Sequence, residues 1–397
     1  MPMIPADHHL AVFAAIMVIA SAAFLLEKTR VGAQLTGAVI AILLAIAASN
    51  LHIIPHDAPA YGFIFKYIVP ALIPLFLFQA DLRRLIREAS RTTAAFILAT
   101  IGTIAGVMVA ALLLDLSALA TAADTVPQHR EAAVVGLFAS TYIGGSVNYA
   151  ALGEVTGLNS DASFFAAATA ADNLFSAVYL SVLALLPGLQ WLSRYFVSHT
   201  VTSVTPQPQA QAGGEATQTQ QTELSGPVTA ASLCLVLTAA VALVAVTDAI
   251  VTSLNLAGWR YVVLTLLTLA LATGLPQLRY HLAGGFELGV ALSFSFFAAI
   301  AAGANITAMI NVAPLLIALV LILLTVHLVV LLTLGALCRL TLPELITASN
   351  AAVLGATTAP AMAATKGWHD QVTPGVLVGV LGYALGTVIG TTLFQLW

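Results

Sequence analysis

The sequence predicts an all-α integral membrane protein of about twelve transmembrane helices, in two structural repeats joined by a flexible linker. Three observations carry this expectation. Of the 397 residues, 60% are hydrophobic and only 8% are charged, whereas a soluble domain carries about 25% charged residues. A water-soluble fold of this size could not hide so much apolar surface, and lipid is the solvent in which it needs no hiding. Apolar runs of roughly the length needed to cross a bilayer, about 20 residues, recur along the chain. Midway, residues 198–227 read SHTVTSVTPQPQAQAGGEATQTQQTELSGP, in which almost nothing can pack.

Taken in order, the first six runs lie at about 10–26, 31–49, 61–80, 93–114, 132–153 and 163–187. The other six lie at about 228–250, 259–276, 286–304, 312–337, 344–365 and 374–396. The expected organisation is therefore a first half at 1–193, a linker at 194–227 and a second half at 228–397. The N-terminus, MPMIPADHHL, lacks the basic n-region of a cleaved leader, so the first run reads as a retained span. Cys234 and Cys338 lie in apolar runs and read as small core residues. The net charge of −4 is thinly spread, and no basic patch with interleaved aromatics suggests nucleic acid as a partner.

Basic residues give a first orientation. Lys28, Arg30, Arg83, Arg84, Arg87 and Arg91 follow the first and third runs, which places those loops in the cytoplasm and the N-terminus outside. Gln79 and Asp81 open an amphipathic stretch, FQADLRRLIREASR, suited to the membrane surface. In the second half Arg279 and Arg339 ask for an inverted orientation, while a strict count of twelve passes makes the halves parallel.

Two segments stand out by composition. Sliding the first half by 211 positions lays the Gly-rich 132–153 on the segment ending ASNAAVLGATTAPAMAA. Gly144 then meets Gly355, Gly145 meets Ala356 and Ser146 meets Thr357. Gly144, Gly145 and Pro360 weaken helical continuity. Interrupted helices at matching positions of two halves point to a transporter site, because freed backbone groups and helix ends can hold ions and carboxylates. The competing reading is close helix packing through small residues.

Ionisable groups inside spans are few. Asp172 sits deep in the sixth run, in FFAAATAADNLFSAVYL, with Asn173 beside it. A carboxylate there costs about 3 kcal/mol on insertion scales and marks a functional candidate by default. It can bind a cation or exchange a proton, or be held structurally by hydrogen bonds. His327, in LLTVHLVVLL, reads first as a hydrogen-bonded packing residue. Glu154 closes the fifth run. No GxxxxGK[ST] loop, HExxH or GxSxG motif is present, so neither ATP use nor these hydrolytic chemistries are expected.

The segments EKTRVGAQLTGAVIAILLAIAASNL, TYIGGSVNYAAL and SNAAVLGATTAPAMAATKGW resemble the family called domain of unknown function 819, multi-span membrane proteins of bacteria and plastids. That family is similar to the superfamily of cation–proton antiporters and bile-acid-type anion symporters. The resemblance implies inverted repeats, a core domain moving against a scaffold, and two broken helices that cross near mid-membrane. It would place Gly144, Gly145 and Ser146 at one crossing, and Gly355, Thr357, Thr358 and Pro360 at the other. Asp172 and Asn173 resemble the acidic pair of the antiporters, with Asn in one place.

Together these readings lead us to expect an ion-coupled secondary transporter of a small polar or anionic solute, driven by Na⁺ or H⁺, in a bacterial cytoplasmic membrane. Asp172 and Asn173 would hold the ion. Thr141, Ser146 and Asn148, with Asn350, Thr357 and Thr358, would offer contacts to the solute. Beyond Na⁺ no cofactor is expected, and the partners are solute and lipid. A homodimer is within what the resemblance implies, since elevator-type relatives are often dimers. The alternatives are an antiporter without organic substrate, a membrane-embedded enzyme and a structural membrane protein.

Overall fold

The computed structural model describes residues 2–29, 37–78, 80, 82–197, 226–304 and 306–397. Arg30, Gln79, Asp81 and all of the linker between 198 and 225 lie outside these described residues. Every regular element longer than a turn is helical. The first half contains α1 (His9–Glu27), α2 (Gly37–Asn50), α3 (Pro59–Leu77), α4 (Leu82–Glu88), α5 (Ser90–Leu113), α6 (Arg130–Gly144), α7 (Ser146–Thr156) and α8 (Ala162–Leu185). The second contains α9 (Ala230–Ser253), α10 (Arg260–Gly274), α11 (Gly285–Ala302), α12 (Ile306–Leu337), α13 (Leu342–Val353), α14 (Thr358–Thr365) and α15 (His369–Leu396). Among the described residues, eight helices are long and apolar enough to cross a membrane, and α2 and α10 are shorter apolar helices.

Each of the twelve apolar runs contains helix among the described residues, but two of them are not single passes. The fifth run breaks at Gly145 into α6 and α7, and the eleventh breaks at 354–357 into α13 and α14. In each the second helix folds back beside the first. A point 2.7 Å from the Gly136 carbonyl oxygen, where a β-carbon on Gly390 would sit, is also 3.2 Å from Leu152. A straight helix would separate Gly136 and Leu152 by about 24 Å. The Thr125 hydroxyl, just before α6, donates to the Thr156 carbonyl at the end of α7 at 2.6 Å. The Asp124 amide likewise reaches Ser160 at 2.8 Å. In the other segment the Asn350 amide reaches the Met362 sulfur at 3.6 Å. Both runs are therefore helical hairpins, and the expected broken, crossing helices are corrected to structures that return to the end they came from. Glycine permits each turn: Gly145 and Gly355 adopt φ of 76° and 97°, where a side chain would resist.

The hairpins enter from opposite ends of the bundle. Call the end where α5 begins the lower end. There Arg91 pairs with Glu344 at 2.6 Å and donates to the Arg339 carbonyl, while the Thr92 hydroxyl donates to Gln371 at 2.8 Å. The Lys366 ammonium donates to the Ala184 carbonyl near the end of α8 at 2.8 Å. The α13–α14 hairpin thus opens at the lower end. The α6–α7 hairpin opens at the upper end, beside the loop that follows α5.

The basic residues sort between these two ends. Lys28, Arg83, Arg84, Arg87, Arg91, Arg194, Arg279, Arg339 and Lys366 all gather at the lower end. Lys66, Arg130 and Arg260 lie toward the upper one.

Two groups of helices pack among themselves. One contains α1, α2, α3, α9, α10 and α11; the other contains α5, α8, α12, α15 and both hairpins. Glycine sets one close contact of the second group, between antiparallel α5 and α12. A β-carbon at Gly102 or Gly106 would come 2.8 or 2.5 Å from the carbonyl oxygens of His327 or Leu323. Cys234 and Cys338 are both exposed and unbridged, so they are surface residues of the bundle and not the core positions their apolar surroundings suggested. An apolar run in a membrane protein has a lipid face as well as a packed one.

The Arg91–Glu344 pair supplies a first test. Glu344 is buried and completes a capping box at the start of α13, its carboxylate accepting from the Thr341 amide at 2.8 Å. Arg91 is 56% exposed, so its charge is partly screened. Glu344→Ala is expected to cost about 1–2 kcal/mol, mostly through the lost cap. A melting temperature unchanged in detergent would remove this pair from the forces that hold the hairpin base.

Candidate functional site

Both hairpin tips rest on one turn of α15. Its sequence places Gly375, Gly379, Gly382, Gly386 and Gly390 along one face, three or four residues apart. That face lacks side chains, so backbone can approach backbone. Gly382 meets Ile143 and Gly144, Gly379 meets Ala356, and the Tyr383 hydroxyl lies nearest to Gly355. Gly386 lies against Ser140 and Asn148, while Gly375 lies against Thr347, Ala359 and Pro360. The positive-φ glycines 145 and 355 are 210 residues apart, one fewer than the offset drawn from composition. At 210 the pairs Ser140–Asn148 and Asn350–Thr358 also correspond, and each bridges its own tip. The Ser140 hydroxyl lies 3.5 Å from the Asn148 carbonyl, and the Thr358 hydroxyl donates to Asn350 Oδ1 at 2.7 Å.

The expected contact residues divide by position. Asn148 is fully buried; its Nδ2 donates to the Tyr383 carbonyl at 2.8 Å and to Thr387 Oγ1 at 3.0 Å, and its Oδ1 has no partner. Thr141 is buried with its hydroxyl bonded back to the Leu137 carbonyl at 2.9 Å. Asn350 is committed to Thr358 and Met362, Pro360 is buried in α14, and Thr357 is exposed at the tip. Ser146 begins α7, and its side chain lies outside the described residues. Asn148 and Asn350 thus hold the tips in shape, while Gly145 and Thr357 face open space.

Asp172 lies halfway along α8. Thr169, Asp172, Ser176 and Tyr179 follow one another at three- and four-residue steps and make one polar stripe. The Ser176 hydroxyl donates to the Asp172 carboxylate at 3.4 Å. Across from it stands Tyr142 of α6, fully buried, whose hydroxyl faces the carboxylate without closing a well-formed hydrogen bond. Asp172 is thereby joined to the tip of the first hairpin. Asn173 donates back to the Thr169 carbonyl at 2.8 Å, a bond within its own helix.

The same stripe reaches the second hairpin. The Tyr179 hydroxyl lies 2.7 Å from Ser349 Oγ on α13, and Ser349 Oγ lies 2.9 Å from His327 Nε2 on α12. His327 Nδ1 lies 2.9 Å from Thr103 Oγ1 on α5, which donates to the Tyr142 carbonyl at 3.1 Å. Tyr142 is common to both clusters: its hydroxyl faces Asp172, and its carbonyl ends the chain from His327.

A model of the family described as "Protein of unknown function (DUF819)" matches residues 14–396. The chain belongs to this family. It is 30% identical over 381 residues to "Uncharacterized membrane protein YjcL" of Bacillus subtilis (strain 168), an alignment that covers 92% of this chain and 90% of the relative. Family membership and the apolar helices together make this an integral membrane protein. Tyr142, Ser176, Tyr179, Ser349, Thr103 and Tyr383 were missed from sequence. The polar stripe on α8 and the glycine stripe on α15 were the available signals.

Proposed function

We propose that this DUF819 protein is an ion-coupled secondary transporter of a small polar or anionic solute. It works by alternating access in a bacterial cytoplasmic membrane and carries out no chemical step on its solute. The observation that carries the reading is the meeting of two opposed hairpin tips on one turn of α15, with a lone carboxylate, Asp172, one side chain away. Irregular backbone at that depth is tolerated where it is buried in protein or lines a cavity.

In this reading each half comprises four helices, a hairpin and a last helix. The eight long helices and the shorter α2 and α10 then make ten passes, five per half. An odd number inverts the second half relative to the first, which supports the inverted repeat and the gathering of basic residues at one end. That lower end faces the cytoplasm. A membrane-impermeant maleimide added outside intact cells should label Gln128→Cys and spare Ile86→Cys, in a Cys234→Ser, Cys338→Ser background. The opposite pattern would reverse the orientation.

The helix starts at Ser146 and Thr358 lie at the tips, so the positive ends of α7 and α14 favour a solute carrying a carboxylate or similar anion. Asp172, with the hydroxyls of Ser176 and Tyr142, takes the Na⁺ or H⁺ that drives transport. The group containing both hairpins moves as the core, and the other as the scaffold. A second reading, a cation–proton antiporter without organic substrate, draws on the same carboxylate.

The test is thermal unfolding of purified protein across Na⁺, K⁺ and pH, wild type beside Asp172→Asn. A ligand that binds only the folded state stabilises it by about 2.7 kcal/mol at a hundred times its dissociation constant. Wild type should show an ion- or pH-dependent rise that Asp172→Asn lacks. A flat response in wild type would end the coupling model.

A further inference from the structure

His327 has a role to which the transport reading gives no part. It is fully buried, and its two ring nitrogens meet hydroxyls from two different helices. A neutral ring donates through one nitrogen and accepts through the other, and the hydroxyls of Thr103 and Ser349 can each take the complementary role. With Thr103 donating to the Tyr142 carbonyl, for example, Nδ1 donates to Thr103, and Ser349 donates to Nε2 and accepts from Tyr179.

A second ring proton makes Nε2 a donor, which Ser349 can accept by turning its own hydroxyl, so the hydrogen bonds adapt while a charge is left on a fully buried ring. That positive charge finds no facing anion among the described residues. On α5 the only charged side chain is Arg91, which is paired with Glu344 at the base of α13. On α8 the ring of Tyr179 stands edge-on at 5.9 Å. Asp172, also on α8, has no cationic partner among the described residues, but it lies beyond Tyr142. Relief comes when Ser349, and with it the second hairpin, releases the ring toward water or that carboxylate.

We propose that His327 is a proton-binding anchor that controls how firmly the second hairpin is held: neutral, it locks α13 to α5 and α8, and protonated, it loosens it. The proposal rests on the reading of the hairpin tips as the transport site and names the proton as a regulator of that site. Hydroxyl neighbours suit such a switch because a hydroxyl can either donate or accept, which an amide or a carbonyl cannot.

The experiment is hydrogen–deuterium exchange of the full-length purified protein, read on the peptide covering 354–365 and corrected for the intrinsic pH dependence of exchange. In wild type, protection of this peptide should fall about tenfold between about pH 8 and about pH 5.5, the range in which histidine changes charge. In His327→Gln it should not change with pH. Ser349→Ala should be weakly protected at both pH values, and it decides the matter if His327→Gln does not fold. A constant wild-type protection, or a wild-type pH profile retained in either variant, would overturn the anchor. Asp172→Asn separates this from the coupling model, because it should lose the ion-dependent rise in stability yet keep the pH response of the hairpin.

Discussion

Gly382→Leu is expected to lose at least about 4 kcal/mol of stability and to leave little folded protein. A β-carbon on Gly382 would come 2.6 Å from the Ile143 carbonyl oxygen, 3.2 Å from the ring of Phe96 and 3.3 Å from the Gly144 α-carbon. Two of these three are backbone atoms at a hairpin tip, and they cannot rotate away as a side chain could. The informative comparison is Gly145→Ala. There the added carbon meets nothing within 4 Å, so only the backbone conformation, φ 76° and ψ −165°, opposes it. That conformation is nearly restricted to glycine and costs other residues about 1–3 kcal/mol. Thermal unfolding in detergent should therefore place Gly145→Ala between wild type and Gly382→Leu. If Gly382→Leu melts within a few degrees of wild type, the tip does not rest on α15 as described.

Asn148→Asp should be nearly as damaging, at about 3–5 kcal/mol. The Asn148 amide nitrogen donates to the Tyr383 carbonyl and to Thr387, and a carboxylate at the same place would turn oxygen toward oxygen. No cationic side chain stands within reach of this buried site among the described residues. Asn148→Ala removes the same two bonds without adding charge and should cost about 2 kcal/mol. The difference between the two variants reads the cost of charge alone, and equal melting temperatures would mean that water reaches the tip freely.

Much of the fold was legible because apolar runs and membrane passes share one cause, the absence of water. The position of each helix, the break at Gly144–Gly145 and the unusual standing of Asp172 all follow from local composition. The hairpins do not. A run with a glycine at its middle can break and continue, or break and return, and its own residues do not choose between them. The choice lies in contacts such as Thr125 with Thr156 and Lys366 with Ala184, which join segments that composition leaves unconnected. Arg279 and Arg339, at odds with an even count of passes, lie with most of the other described basic residues at the lower end. His327 was read as a hydrogen-bonded packing residue, and its bonds bear that out. Its partners, though, come from helices that sequence proximity could not bring together.

The glycine stripe of α15 has a consequence for the order of synthesis. The first hairpin carries Asn148, whose partner Tyr383 comes 235 residues later in the chain. At roughly 5–20 residues per second, the ribosome needs roughly 12–47 s to supply it. For that interval the newly made hairpin holds buried amides with nothing to bind and a bare tip with nothing to rest on. It must wait at the membrane, in water or against other protein, until the last helix arrives. Completion of the carboxyl terminus, and not passage of the hairpin itself through the insertion machinery, is thus the event that fixes the packing of both hairpin tips.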